Sequence, residues 1–432
     1  MKRITPFVNT TLKASAAAVL MASSSAAFAL TDKERIELLE QKVEALMQVI
    51  EQQQSGQVIS QPAMPAATSQ PEHHLTASET STPAPVHSSS HAASGYGVHF
   101  GGYGEMHANF INGDDEEKRG LDFHRLVLFM GYDFSPSARF VSELEVEHAV
   151  SSASKAGEVE VEQAYLEFDL AQDKSMQLRT GILLTPVGII NETHEPATFY
   201  GVERPIVETT ILPSTWWGGG AMFSQRFNNG ISYDFFVSEG LKTKETDPFN
   251  LKGGKQKTTS TAGQGGKADI FDIATTARIK YTGIAGLELS AYAQYQPDLD
   301  QSAKTSYADS ATLIGGHAIY QLGDWKATAL YARWDLAGDA AKAAKQNLQD
   351  GGYVELSYKP MEKLGLFARH SIWSKKAGEE ANQTDFGVNY WPYPQIVFKA
   401  DFQIMNEYAA RDNDSDILTD ATAINLGMGY HF

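Results

Sequence analysis

Between residues 188 and 217 the chain reads GIINETHEPATFYGVERPIVETTILPSTWW, with Glu192, His194, Glu195, Tyr200, Glu203, Arg204 and Glu208 set close together. Such a set suggests acid–base or metal chemistry, but the spacings argue against both. A zinc protease needs two histidines flanking a glutamate in H-E-x-x-H, and Thr193-His194-Glu195 has no second histidine at that interval. The acidic run DNDSD (412–416) has calcium-loop spacing, yet Ile417 occupies the place of the turn glycine and no glutamate follows at the twelfth position. Solvated surface charge, or contact with divalent ions that bridge lipopolysaccharide, accounts for it. A nucleophile elbow is also missing. The expectation is a protein that is not an enzyme, with no cofactor and no resident metal. The chemistry left to these groups is electrostatic.

The same stretch holds Pro196, Pro205 and Pro213 and is too apolar to float in water. Long loops in compact folds are usually functional, and this one needs an enclosure to bury it. The flanking sequence supplies one. From about residue 95 to the end, apolar and polar residues alternate, as in GLELSAYAQYQ, GYVELSYK and IVFKADFQIM. Period two with one apolar face is the pattern of a half-buried strand. Sixteen such segments, from 97–111 to 418–432, are separated by connections that alternate in length. Tight turns (SPS, AQDK, NNG, IAG, LGD, KPME, YPQ) take turns with long polar loops such as INGDDEEKRG and GDAAKAAKQNLQD. This predicts an all-β fold, a 16-stranded antiparallel transmembrane β-barrel with polar residues inside and apolar residues toward lipid. A soluble sandwich would not sort its turns by length so regularly. The third long loop, 188–217, then has the lumen as its burial site.

The closing segment INLGMGYHF ends in strict alternation, with Tyr430 and the terminal Phe432 on the apolar face. It is similar to the signal read by the barrel-assembly machinery. Trp216, Trp217, Trp325, Trp334, Trp373, Tyr390 and Trp391 stand near strand ends and suit two interfacial girdles.

The first residues address the chain to the envelope. Lys2, Arg3 and Lys13 precede a short apolar run ending Ala27-Phe28-Ala29, a signal-peptidase pattern that places cleavage after Ala29. Removing residues 1–29 leaves 32 basic against 53 acidic residues, a net charge near −21. So acidic a chain is a poor nucleic-acid binder. Cysteine is absent, which suits an oxidising envelope. Residues 30–54 carry Ile36, Leu39, Val43, Leu46 and Ile50 at three- and four-residue steps, a short coiled-coil seam. Its β-branched a positions favour dimers, while Arg35-Ile36 with Leu39-Glu40 fits the R-h-x-x-h-E pattern of trimers. Residues 55–94, rich in Ser, Pro, Ala and Thr, cannot bury a core and are expected to form a disordered linker.

Gly181, Pro186 and Gly188, the run from Asn191 to Arg204, and Pro213 to Trp217 together resemble the phosphate-selective porin O and P family. The resemblance covers roughly 95–432. It implies a homotrimeric 16-stranded porin with an inward-folded third loop, set in outer-membrane lipid and lipopolysaccharide of a Gram-negative envelope, with the coiled coil in the periplasm. Passive diffusion of small hydrophilic solutes, anions such as phosphate among them, is the implied activity. Phosphate-specific members line the pore with a cationic ladder, whereas the side chains projected inward here are mixed in sign. Arg125, Arg139 and Arg179 come from neighbouring strands and form the candidate anion-contacting wall, unless they pair with Glu143, Glu145 and Glu167. A second reading is an envelope tether whose coiled coil and linker contact peptidoglycan.

Overall fold

The computed structural model describes residues 97–432, except 114–116, 149–150, 153–154, 256–269, 271, 302–306 and 410–417. The signal peptide, coiled coil, linker and acidic run expected at 1–29, 30–54, 55–94 and 412–416 lie outside the described residues.

Eighteen strands occur among the described residues, and sixteen of them close into a barrel. They are β1 (Val98–Gly113), β2 (Glu117–Ser135), β3 (Ala138–Glu147), β6 (Val159–Asp169), β7 (Met176–Leu184) and β8 (Trp217–Arg226). There follow β9 (Ile231–Ser238), β10 (Ala274–Tyr281), β11 (Leu287–Gln296), β12 (Ala311–Leu322) and β13 (Trp325–Leu336). The last are β14 (Leu348–Met361), β15 (Leu364–Lys376), β16 (Glu379–Tyr393), β17 (Ile396–Ala409) and β18 (Leu418–His431). The two-residue strands β4 (Ser151–Ser152) and β5 (Lys155–Ala156) make a hairpin of their own. Every barrel strand runs antiparallel to its neighbours, and β18 returns to pair with β1. A barrel leaves no strand edge unpaired, which is what a lipid surroundings demands of β structure. The seam is finished by Phe432, whose N–H donates to the Gly102 carbonyl at 2.9 Å while Gly102 returns a bond at 3.1 Å.

The alternation resolves as expected, polar inward. Glu105, Arg125, Glu145, Arg278, Arg369, Asp385, Lys399 and Asp401 are all buried, while Ile424, Leu426 and Phe432 are exposed on the outer face. Two expectations need correction. The ten-residue loop INGDDEEKRG shrinks to residues 114–116, because Ile111 pairs with Lys118 and Asn112 with Glu117. Polar strands can extend beyond the bilayer, since pairing needs no apolar face once outside lipid. The aromatic girdle is also smaller than expected. Trp325, Tyr390 and Phe432 do face outward, but Trp216, Trp217, Trp334 and Trp373 are buried. The apolar side of the third loop takes up three of them: Trp216, Trp334 and Trp373 form one core with Ile206, Val207 and Ile211.

Candidate lumenal site

The third loop leaves β7 after Leu184 and enters β8 at Trp217. Its two ends are stitched together. Thr185 N–H donates to the Trp216 carbonyl at 2.8 Å, and the Asn191 amide donates to the carbonyls of both Thr185 and Trp216 at 2.8 and 2.9 Å. Glu208 sits on a four-residue helix, α1 (Val207–Thr210), and is buried. One of its oxygens accepts the N–H groups of Ile189 and Ile190 at 2.7 and 2.8 Å, and the other accepts the Tyr353 hydroxyl at 2.7 Å. Gly188 permits this, at φ +70° and with its missing Cβ only 2.6 Å from the Glu208 carboxylate.

Beyond its base the loop crosses to the opposite wall. The carbonyls of Phe199, Tyr200 and Gly201 accept bonds from Asn389, Arg369 and Lys399 at 3.0, 3.3 and 2.8 Å. Asp401 accepts the Val202 N–H at 2.6 Å. Strands β15, β16 and β17 thus hold four consecutive loop residues by their backbone. The Tyr200 ring packs on Phe367 and Trp391, and Trp334 donates its indole N–H to the Ile211 carbonyl at 3.0 Å.

The charged side chains of the loop divide among separate partners. Glu192 is paired with Arg278, which also holds Asp234 at 2.7 Å. His194 Nε2 lies 3.4 Å from Glu143 and 3.5 Å from Glu162. Burial works against charging this imidazole, but the two carboxylates prevail and hold its pKa up to about 10. Glu203 accepts from Asn109 at 3.0 Å and lies 3.2 Å from His107. Asn109 in turn donates to Asn425 at 2.9 Å, and Asn425 donates to Asp401 at 2.7 Å. A polar chain therefore runs from Glu203 across the β1–β18 seam and back to the loop at Val202. Arg204 donates to Thr215 at 2.6 Å, and burial, with Arg125 nearby, pushes its guanidinium pKa down. Glu195 is half-buried.

The three wall arginines are not one group. Arg139 and Arg179 share Glu167, at 2.5 and 2.6 Å. Arg125 is buried elsewhere, 2.7 Å from Glu105 and 3.0 Å from Glu145. Arg139 and Arg179 line a lumenal cavity of about 500 Å³ together with Glu192, Asp234, Arg278 and Lys280. A second cavity of about 540 Å³ is lined by Arg139, Lys174, Glu195, Asp133 and the terminal Phe432.

Residues 100–432 match the family model described as phosphate-selective porin O and P. The chain belongs to this porin family. An uncharacterised protein of Aquifex aeolicus is 29% identical over 352 residues, covering 74% of this chain and 78% of its own length. Among solved structures, the anion-selective porin from Comamonas acidovorans superimposes with a TM-score of 0.55 at 13% identity, over 78% of this chain and 100% of that one. The trimer form of OmpT of Vibrio cholerae gives 0.50 at 13% identity, over 78% and 99%. Family and closed barrel together make this an outer-membrane channel protein rather than an enzyme.

Inside the porin, Glu162 is the buried carboxylate that the alternation did not flag. Glu143 pairs with Gln163 but the adjacent Leu144 pairs with Val161, so β6 carries a bulge at residue 162. Glu160 and Glu162 then face inward on one side of the bulge, with Tyr165 and Glu167 on the other. The signal is present as a phase slip in VEVEQAYLEF, where two polar residues adjoin.

Proposed function

We propose that the porin admits small hydrophilic solutes by passive diffusion across the outer membrane, with a modest preference for anions such as phosphate, and that it does so as a homotrimer. The observation that carries this reading is the third loop pinned across the barrel, which narrows the passage and brings charge into it. The cavity of about 500 Å³ has Arg139, Arg179, Arg226, Arg278 and Lys280 on its walls against Glu167, Glu192, Asp234 and Glu288. Opposed charges of nearly equal number make a transverse field that orients polar solutes while discriminating weakly by sign. The excess of one cation sets the direction of the preference. Trimerisation is supported by the seam Arg35, Ile36, Leu39, Glu40, Val43, Leu46 and Ile50 and by the trimer form of the Vibrio cholerae structure.

The test is reversal potential in a planar bilayer under a KCl gradient, with and without phosphate. An anion-selective potential that phosphate shifts supports the reading. Cation selectivity, or no conductance from a folded barrel, overturns it.

A further inference from the structure

Glu143 on β3, Glu162 on β6 and His194 on the third loop come together in the barrel interior, and all three are buried. We propose that they form a binding site for a first-row divalent metal ion of the zinc class, which ties the third loop to the barrel wall. Four features of the geometry support this.

The first is spacing. His194 Nε2 stands 3.4 and 3.5 Å from the two carboxylate oxygens, longer than good N–H···O bonds of about 2.7–3.2 Å. Ligand atoms about 2.05 Å from a tetrahedral metal are separated by about 3.3 Å, which both of these distances suit, and all three ligand atoms lie within 4.8 Å of one another. The second is orientation. His194 Nδ1 faces the Asn191 carbonyl at 3.3 Å, which keeps a proton there, so Nε2, facing the two carboxylates, is the nitrogen on which a metal would replace the proton. Asn191 is itself fixed by its bonds to Thr185 and Trp216.

The third is an unmet demand. Glu162 is wholly buried and neither of its carboxylate oxygens accepts a hydrogen bond. A buried carboxylate that meets His194 only at 3.5 Å and has the Glu145 carboxylate beside it is a costly arrangement, and a bound cation would relieve it. Glu143, by contrast, is braced by Gln163, whose amide donates to its other oxygen at 2.6 Å. The fourth is ligand type. One imidazole and two carboxylates suit zinc, manganese or ferrous iron, whereas calcium asks for six to eight oxygens. Three protein ligands leave the fourth position for water.

The experiment uses the full-length folded protein, stripped with chelator and titrated with Zn²⁺ by calorimetry near pH 8. Asp122, His124 and His148 also lie within ligand distance of one another, so the reading is the difference between variants rather than the total uptake. Glu162→Gln and His194→Gln should each bind one zinc fewer per chain than the parent. Gln163→Ala, which keeps all three ligands, should weaken that same equivalent by about 10- to 100-fold. Zinc should also raise the temperature at which the folded band is lost on an unheated gel, and this rise should vanish in Glu162→Gln. If a substitution prevents folding, the Gln163→Ala titration decides the question. Equal zinc uptake and affinity in the parent and in every folded variant, or no uptake by the parent at about 100 μM zinc, would overturn the proposal.

Discussion

Glu192 and Glu208 are the same residue type on the same loop, and their surroundings give them opposite duties. Glu192 faces a water-accessible cavity beside Arg278, while Glu208 is buried and receives three donors. Glu192→Gln should therefore shift reversal potential toward anions, because a negative charge leaves the passage, and the shift should shrink at high salt. Glu208→Gln should leave selectivity nearly unchanged and cost about 1.5–3 kcal/mol at the loop base through lost charge-assisted bonds. Limited proteolysis of the loop would register that loss. Glu239, just past β9, supplies a pH test. It is buried, and burial, which outweighs the opposing pull of the Glu239 and Gly219 backbone N–H groups, raises its pKa from 4.5 to about 7. The unfolded chain ionises this group first, so the stabilisation is complete below about pH 4.5 and is lost as pH rises through 7. The heat-modification temperature of the parent should fall across that window relative to Glu239→Gln, which keeps a neutral side chain throughout.

For the elements, legibility followed periodicity. Strand number, inward polarity and the burial of 188–217 were all readable, because period two leaves one stripe for lipid and one for the lumen. What pairs with what was readable only in part: Glu145 and Glu167 do take the arginines, but Glu143 holds Gln163 instead and the partnership with Glu105 had no sequence signal. Arg125, Arg139 and Arg179 share a face in projection, but Arg125 lies between Glu105 and Glu145 while the other two meet at Glu167. Strand stagger decides such matters, and alternation carries no record of it. The bulge at Glu162 hid a buried carboxylate for the same reason, since a single extra residue reverses every face after it. Trp216, Trp334 and Trp373 read as girdle residues until the loop gave them an apolar partner inside. Removing Glu195–Thr209 should raise single-channel conductance, since the segment bonded to β15, β16 and β17 would no longer span the passage. Unchanged conductance in the shortened protein would place the narrowest point elsewhere.

On the scale of the whole molecule, the barrel is held by its own closure. Phe432 exchanges two backbone bonds with Gly102 and sets its ring 6.3 Å from Phe100. Phe432→Ala should lower the amount of folded protein recovered from outer membranes, and normal recovery would argue against an assembly role for this residue. Deleting residues 30–54 should leave a heat-modifiable barrel while weakening the oligomer, which an unheated gel resolves directly.

The polar chain from Glu203 through Asn109 and Asn425 to Asp401 and Val202 couples the closure of the barrel to the seating of the loop. Asn109 and Asn425 are 316 residues apart, so their meeting is among the most entropically demanding steps in the life of the chain. Each also bonds to a group that contacts the loop. A β1–β18 seam without the loop would keep the Asn109–Asn425 and Asn425–Asp401 bonds but lack Glu203 as an acceptor for Asn109 and the Val202 N–H as a donor to Asp401. In the finished porin, Glu203 and the Val202 N–H thus stand where the two ends of the chain meet, and the loop is a third party to the closure of the barrel.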